Sequence, residues 1–371
     1  MTPPKKSPEE VLDAITKAQQ ARRRHRMLKE DRITMSHGAG GKSSHDLIEG
    51  LIRPLLSNPA LDSLDDAAVL PLATFLPSCG EGALAFTTDS YTVSPVIFPG
   101  GNIGDLAING TVNDLAMAGA RPMALSAGLI LEEGVSTALL REVLTTMADA
   151  ARRVGIAVVT GDTKVVPRGK GDGIYINTAG VGVIERQWPM GQGHIKPGDK
   201  VLVSGSIGNH GIAVMLTREG IEMQSPIISD TRPLYSLVHV LLQAVGSGVH
   251  ALKDPTRGGV ATTLNEMAVG SNVAIKVFEE ALPVDAAVRG ACEILGLDPL
   301  TIANEGKLLA VVSSDRVGEA LSAMRQHPDG TQACVIGEVQ DNPGGMVFLE
   351  TLLGGTRVLD MLVGDPLPRI C

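Results

Sequence analysis

Apolar positions along the chain alternate between two periods. Runs at Ala83–Thr88, Ala124–Ile130, Ala157–Thr160 and Ile174–Ile184 read as strands, and between some of them Asn102–Ala118 and Ser136–Val154 carry apolar residues at helical spacing. Strands interleaved with helices predict a mixed α/β (α+β) layer structure. The stretch 187–199, rich in Gly and Pro, reads as a boundary. Beyond it Lys200–Ser204, Val273–Phe278, Leu308–Ser313 and Val335–Val339 are strand candidates, so the second half has α/β content of its own. Upstream, Ser7–Glu30 reads as one helix, with Ser7 in capping position, Pro8 in the first turn, and Val11, Ile15 and Ala18 at helical spacing. The pattern divides the chain into a helical extension (1–32), a first domain (33–186), a second (187–354) and a flexible tail (355–371).

Composition narrows the function classes. The 371 residues suffice for two or three domains, and 44% hydrophobic against 20% charged residues excludes long disorder. A formal net charge of -9 argues against a nucleic-acid partner, because phosphate-backbone binding relies on Lys and Arg to displace counterions. Cys79, Cys292, Cys334 and Cys371 lack CxxC spacing, which supports neither a zinc site nor a disulfide framework and fits a reducing cytoplasm. No segment has the apolar run of a membrane span, and the first 31 residues lack the apolar region of an export signal.

Three constellations carry candidate chemistry. In the loop Ser36–Ser43, backbone N–H groups freed by Gly38, Gly40 and Gly41 could wrap phosphates while Lys42 faces their charge. Ser36 stands where the P-loop pattern needs Gly, and a turn capping a helix from Ser43 or Ser44 is the alternative. Second, Asp66, Asp89, Asp114 and Asp162 sit at strand ends or turns, where hard Mg2+ shared with phosphates would find oxygen ligands; singly, each is also a common turn former. Asp162 precedes Lys164 on what reads as one turn, and Asn113 and Asp114 lie inside a small, apolar run where polar groups need a partner or a structural hydrogen bond. Third, Pro366 and Pro368 favour an extended arm that holds the terminal thiol of Cys371 away from the body, unless that cysteine is inert. Asp254–Gly259 could present N–H groups and Arg257 to an anion or to the tail, or simply start a helix.

The blocks SHGAGGK (36–42), DDAAVL (65–70), DSYTVSP (89–95), FPGGNIGDLAINGTVNDLAMAGA (98–120), GDTKVV (161–166), DPTRGG (254–259), NEGK (304–307) and terminal PRIC (368–371), in this order, resemble the HypE family of hydrogenase maturation factors. That family shares the fold of aminoimidazole ribonucleotide synthetase and selenophosphate synthetase. The resemblance covers about residues 33–371 and leaves the N-terminal helix outside it.

It implies a two-domain chain that dimerises through its N-terminal domains, the strands of both chains closing a β-barrel with ATP close to that interface. It implies that the partner HypF carbamoylates Cys371, that ATP drives dehydration of this S-carboxamide to a thiocyanate, and that the cyanide passes to iron on HypC–HypD. Implied nucleotide contacts are His37, Gly38, Gly40, Gly41, Lys42, Asp66, Asp89, Asn113, Asp114, Gly161 and Asp162. Some subset of Asp66, Asp89, Asp114 and Asp162 would hold Mg2+. Lys164 would stabilise growing charge, and Glu305 would be the base that takes the amide protons, its pKa raised by a partly desolvated site. Whether the tail enters its own subunit or a neighbour's is left open. The rivals are a selenophosphate synthetase, which would carry a reactive Cys near the N-terminal Gly loop where none precedes Cys79, a nucleotide switch built on loop 36–43, which gives Cys371 no role, and a scaffold without catalysis.

Overall fold

The computed structural model describes residues 41–52, 65–71, 82–221, 223, 226–362 and 369–371. The expected helix over 7–30, together with His37, Gly38, Gly40, Cys79, Pro366 and Pro368, lies outside the described residues.

In the first half, α1 (Lys42–Leu47) precedes β1 (Ala68–Pro71), β2 (Ala83–Tyr91), the short pair β3 (Ile97–Phe98) and β4 (Gly101–Asn102), α2 (Ile103–Met117), β5 (Arg121–Glu132), α3 (Thr137–Val154), β6 (Val158–Val166) and β7 (Ile174–Ile184). Five of these strands form one sheet in the order β1-β2-β7-β5-β6, antiparallel except for β5 with β6. Strict alternation along β7 buries Ile174, Ile176 and Thr178 on one face. That face packs on Leu106 and Ile108 of α2, while Phe86 and Ile130 remain exposed on the other.

Helix α2 starts at Asn102, whose Oδ1 accepts the Gly104 N–H at 2.8 Å while Asp105 Oδ2 accepts the Asn102 N–H at 3.2 Å. This reciprocal capping box fixes its entry. It is buried nearly all round because it is sandwiched: Leu106 and Ile108 join the first sheet's core, whereas Ala116 and Met117 join Leu234, Leu237 and Leu241 of the second half. Helix α3 is amphipathic instead, capped by Ser136 and closed by Gly155 at φ 75°.

The second half comprises β8 (Lys200–Val203), α4 (Asn209–Glu219), α5 (Tyr235–Val245), β9 (Val249–Lys253), α6 (Gly259–Ser271), β10 (Ala274–Phe278), α7 (Ala286–Leu295), β11 (Leu309–Val312), α8 (Val317–Gln326), β12 (Cys334–Gln340), β13 (Met346–Glu350) and β14 (Thr356–Val358). Its sheet runs β14-β13-β10-β12-β8-β11-β9, with only β10 and β13 parallel. One core packs Val201, Ile275 and Val311 against α6; the other packs Leu202, Ala310 and Val312 against α5 and α8.

Two expectations need correction. Asp162 and Lys164 occupy no turn: β6 continues to Val166, because pairing with Ser126–Glu132 carries the extended backbone through the GDTK block. The tail is not free along its length. Thr356–Val358 pairs with β13, Leu359 is buried in the second core, and the last three residues are seated in the body of the same chain.

Candidate active site

The block 304–307 is a buried cross-link. Asn304 Oδ1 accepts the Gly208 N–H at 2.7 Å, and its Nδ2 donates to the carbonyls of Pro255 at 2.9 Å and Ile302 at 3.0 Å. Lys307 Nζ meets Asp230 Oδ2 at 2.9 Å, and Asp230 Oδ1 accepts the Glu305 N–H at 3.1 Å. A Cβ at Gly306 would collide with the Asp230 carbonyl oxygen, so no other residue fits. Three residues of the block thus immobilise the fourth. The Glu305 side chain is buried, and its Oε1 has no hydrogen-bond partner among the described residues. Burial, then the charges of Asp254, Asp89 and Asp230, push its carboxyl well above the usual range.

Around Glu305 gather aspartates from four segments. Asp254, at the end of β9, is pushed up to about 8 by burial and then by Asp66. Asp66 Oδ1 lies 3.1 Å from Lys253 Nζ, yet its Oδ2 has no hydrogen-bond partner among the described residues and burial still raises its pKa. Lys253, shared with Glu266 at 2.9 Å, stays charged because the two carboxylates outweigh its burial. Asp114, on α2, accepts the Thr87 hydroxyl at 2.7 Å; burial and then Asp254, Asp89 and Asp66 raise its pKa well above the usual range. Asp89, on β2, lies 3.9 Å from Arg257 Nη2. Among the described residues these carboxylates do not close into a set of three or more metal ligands. Their oxygens, one of them orphaned, and their raised proton affinities describe a site short of positive charge. Such a donor set suits a hard divalent cation that keeps waters and shares phosphate oxygens.

The chain's own C-terminus ends here. The Cys371 thiol is pushed up to about 12 by burial, which Arg257 opposes and Glu305, Asp89 and Asp254 reinforce. Arg257 is in turn held charged by the Cys371 end, Asp89 and Glu305. Such a thiol stays protonated and is no nucleophile while seated.

Other expected site residues fall elsewhere. Asp162 and Lys164 are 71% exposed and pair with each other at 3.1 Å. The register Ser90–Asn177–Gly128–Asp162 sets Asp162 three strand spacings from β2, about 14 Å, on the face opposite Asp89. Gly161 answers a packing need, since a Cβ there would strike the Ala127 carbonyl oxygen. The side chain of Asn113 is committed to backbone: Oδ1 accepts the Leu234 N–H at 2.7 Å, and Nδ2 donates to Arg232 O at 3.1 Å and Glu305 O at 3.4 Å. It locks α2 to the Glu305 segment, the structural hydrogen bond weighed for this run. Gly41 faces tail rather than open space, its Cβ position blocked by the Leu362 carbonyl; Lys42 is exposed and begins α1, earlier than Ser43 or Ser44.

Sequence reasoning missed Asp254 as an acid in its own right, and also Lys253, Thr92, His210 and Arg218. Asp254 had a signal, since it heads the DPTRGG block. Thr92 likewise lies inside the DSYTVSP block, but Lys253, His210 and Arg218 had none, because their roles arise from contacts with residues more than 100 positions away: Asp66 for Lys253, the chain end for the other two.

Comparison with known proteins identifies the family and the fold. The chain matches the AIR synthase related protein N-terminal domain over residues 64–184 and the corresponding C-terminal domain over 196–350. It is 47% identical to carbamoyl dehydratase HypE of Azotobacter vinelandii over 344 residues, 93% of this chain and 98% of that one. A crystal structure of a HypE–HypF complex superposes with TM-score 0.79 at 43% identity, covering 85% of this chain and 99% of that one. One of HypE in complex with ATP gives 0.76 at 46% identity, covering 92% and 100%. Two domains of AIR synthase type, and relatives matched almost end to end, place the chain in the HypE family of carbamoyl dehydratases, which act in hydrogenase maturation.

Proposed function

We propose that the chain dehydrates the S-carboxamide of its own Cys371 to a thiocyanate at the expense of ATP. One observation carries this reading: the terminal cysteine sits in its own chain's carboxylate cluster, in electrostatic reach of Arg257, Glu305, Asp89 and Asp254. A scaffold or a nucleotide switch has no need to seat its last residue beside a buried glutamate whose Oε1 has no hydrogen-bond partner among the described residues.

ATP turns the amide oxygen into a phosphate leaving group, so the amide loses one oxygen and two protons, one water equivalent, taken up in forming ADP and phosphate. Glu305, with raised proton affinity and a free Oε1, is suited to take those protons. Asp66, Asp89 and Asp114 would hold Mg2+, which neutralises phosphate charge, and Asp254 borders the same space. Arg257 steadies the negative groups around the seated tail. The carbamoyl donor would be HypF and the cyanide acceptor the iron of HypC–HypD. The exposed outer face of the first sheet, with Phe86, Ile130 and the β6 edge, supports dimerisation by strands of two chains closing a barrel. In that dimer the partner subunit's Asp162 and Lys164 would serve this chain's site. Free Cys292, Cys334 and Cys371 suit the cytoplasm, and no helix among the described residues is long and apolar enough to cross a membrane.

Intact-protein mass spectrometry after incubation with HypF, carbamoyl phosphate and ATP tests the reading. Gain of a carbamoyl group followed by ATP-dependent loss of one water mass is expected, and Cys371→Ala should show neither while still binding nucleotide. Dehydration in Cys371→Ala would end the proposal.

A further inference from the structure

The last three residues are held through their main chain as well as through side chains, Arg369 Nε donating to the Thr92 carbonyl at 2.9 Å and its guanidinium pairing with Asp172. Arg369 O accepts from the Ser94 N–H at 3.1 Å and from Arg218 Nη2 at 2.8 Å. Ile370 O lies 2.9 Å from His210 Nε2. The terminal oxygen of Cys371 accepts the Thr92 N–H at 2.9 Å and the Thr92 hydroxyl at 3.2 Å. Three consecutive oxygens are thus each taken by a donor from the body, whereas no hydrogen bond to Cys371 Sγ is present among the described residues.

The donors are themselves fixed. His210 is fully buried, with Nδ1 2.7 Å from Ser229 Oγ, and Ser229 Oγ already accepts the Thr231 N–H at 3.1 Å. The Ile370 carbonyl can only accept, so Nε2 carries the proton, and Nδ1 of the neutral ring accepts the Ser229 hydroxyl. Burial lowers the His210 pKa, which keeps the ring neutral and this tautomer in place. Arg218 is steadied by the Ser94 carbonyl at 2.6 and 2.8 Å. Ile370 plugs the first core beside Val214 and Ala303. Asp230, next to Ser229, carries the Glu305 N–H, so one dipeptide anchors both the tail's donor and the candidate base.

We propose that Thr92, His210 and Arg218 are positioning residues that seat the C-terminal tail by reading its main-chain oxygens, leaving the sulfur free to carry its group. This rests on the tail being the substrate arm, but its geometry is testable on the unmodified protein. The rate of Cys371 alkylation by iodoacetamide, read by peptide mass mapping without nucleotide or carbamoyl donor, reports seating directly. His210→Ala and Arg218→Ala should each raise it about 10-fold, the weight of one lost buried hydrogen bond. His210→Gln and Arg218→Lys, which keep a donor, should restore most of the protection, a rescue that general loosening would not give. Nucleotide affinity should stay unchanged in all four. Wild-type alkylation rates in both alanine variants, or equal exposure in the alanine and donor-keeping variants, would overturn the cradle. A protein with a protected tail that never forms thiocyanate would overturn the dehydratase reading and leave the cradle standing.

Discussion

Two aspartate–lysine pairs, Asp162–Lys164 in β6 and Asp230–Lys307 beside the Glu305 block, share the same chemistry and nearly the same separation, 3.1 and 2.9 Å. The first is 71% exposed on both sides, whereas the second is almost wholly buried. In the exposed pair the lysine bond lowers the aspartate pKa, but water screens what the pair contributes to folding. In the buried pair burial would raise the Asp230 pKa, and Lys307, together with the Glu305 N–H, reverses the sign. The buried pair is architecture that holds the Glu305 segment; the exposed pair stands in water on the outer face of the first sheet. A motif containing Asp and Lys therefore says little until its side of the sheet is known.

The largest effect should fall on what the buried pair supports. Glu305→Gln keeps shape and removes the base, so dehydration should fall by about 10²- to 10⁴-fold with nucleotide affinity retained. Single-turnover mass spectrometry of the carbamoylated protein measures it, and a near-normal rate would take the base role from Glu305.

Next comes stability. Lys307→Met strands Asp230 as an uncompensated buried charge and should cost about 3–5 kcal/mol in urea unfolding. Lys164→Met should leave the unfolding curve where it is. Equal losses would erase the contrast between the pairs.

The pH dependence is subtler. Glu305 must be deprotonated to act, so activity should rise with pH through its raised pKa. Asp254→Asn removes the neighbouring charge that raises it most after burial, and should move this acid limb to lower pH. A limb that stays put would mean another group titrates. Folding has the opposite sign: Asp254 binds its proton more tightly folded than unfolded. Its contribution is complete below 3.8 and is lost as pH rises to about 8. Thermal melts of ligand-free protein should therefore show Asp254→Asn gaining on wild type across that window.

How legible this was from sequence depended on whether the cause was local. The strands Ala274–Phe278 and Leu309–Val312 and the helical runs beginning at Asn102 and Ser136 were readable, because periodicity acts over a few residues. Helix α5 was passed over although its exposed Ser236, His239 and Gln243 recur at helical spacing, because Val240, Leu242 and Ala244 interrupt that polar stripe with apolar residues, and β9 and β13 because runs such as Met346–Leu349 are apolar at every position and show no polar alternation. Glu305 and Asp89 were reachable through their blocks. The face of Asp162 was not, since one extra residue of strand register turns a side chain to the other side and only the folded pairing fixes it. The docked chain end was equally hidden, because its donors Thr92, His210 and Arg218 come together only in the fold.

The smallest effect decides whether the exposed pair belongs to the chemistry at all. Asp162 and Lys164 cannot reach Asp89 of their own chain through the sheet that separates them, so a catalytic role requires the partner's site. Lys164→Ala and Cys371→Ala homodimers should then both fail to form thiocyanate, for different reasons. A mixed dimer should recover one working site: the tail of the Lys164→Ala chain would meet the Lys164 of the Cys371→Ala chain. With randomly mixed dimers from equal amounts, about half of the Lys164→Ala chains pair this way, so about half should show loss of water mass in a single turnover. Recovery near zero would return Lys164 to the role of a solvated edge charge. Full activity of the Lys164→Ala homodimer would do the same without any mixing.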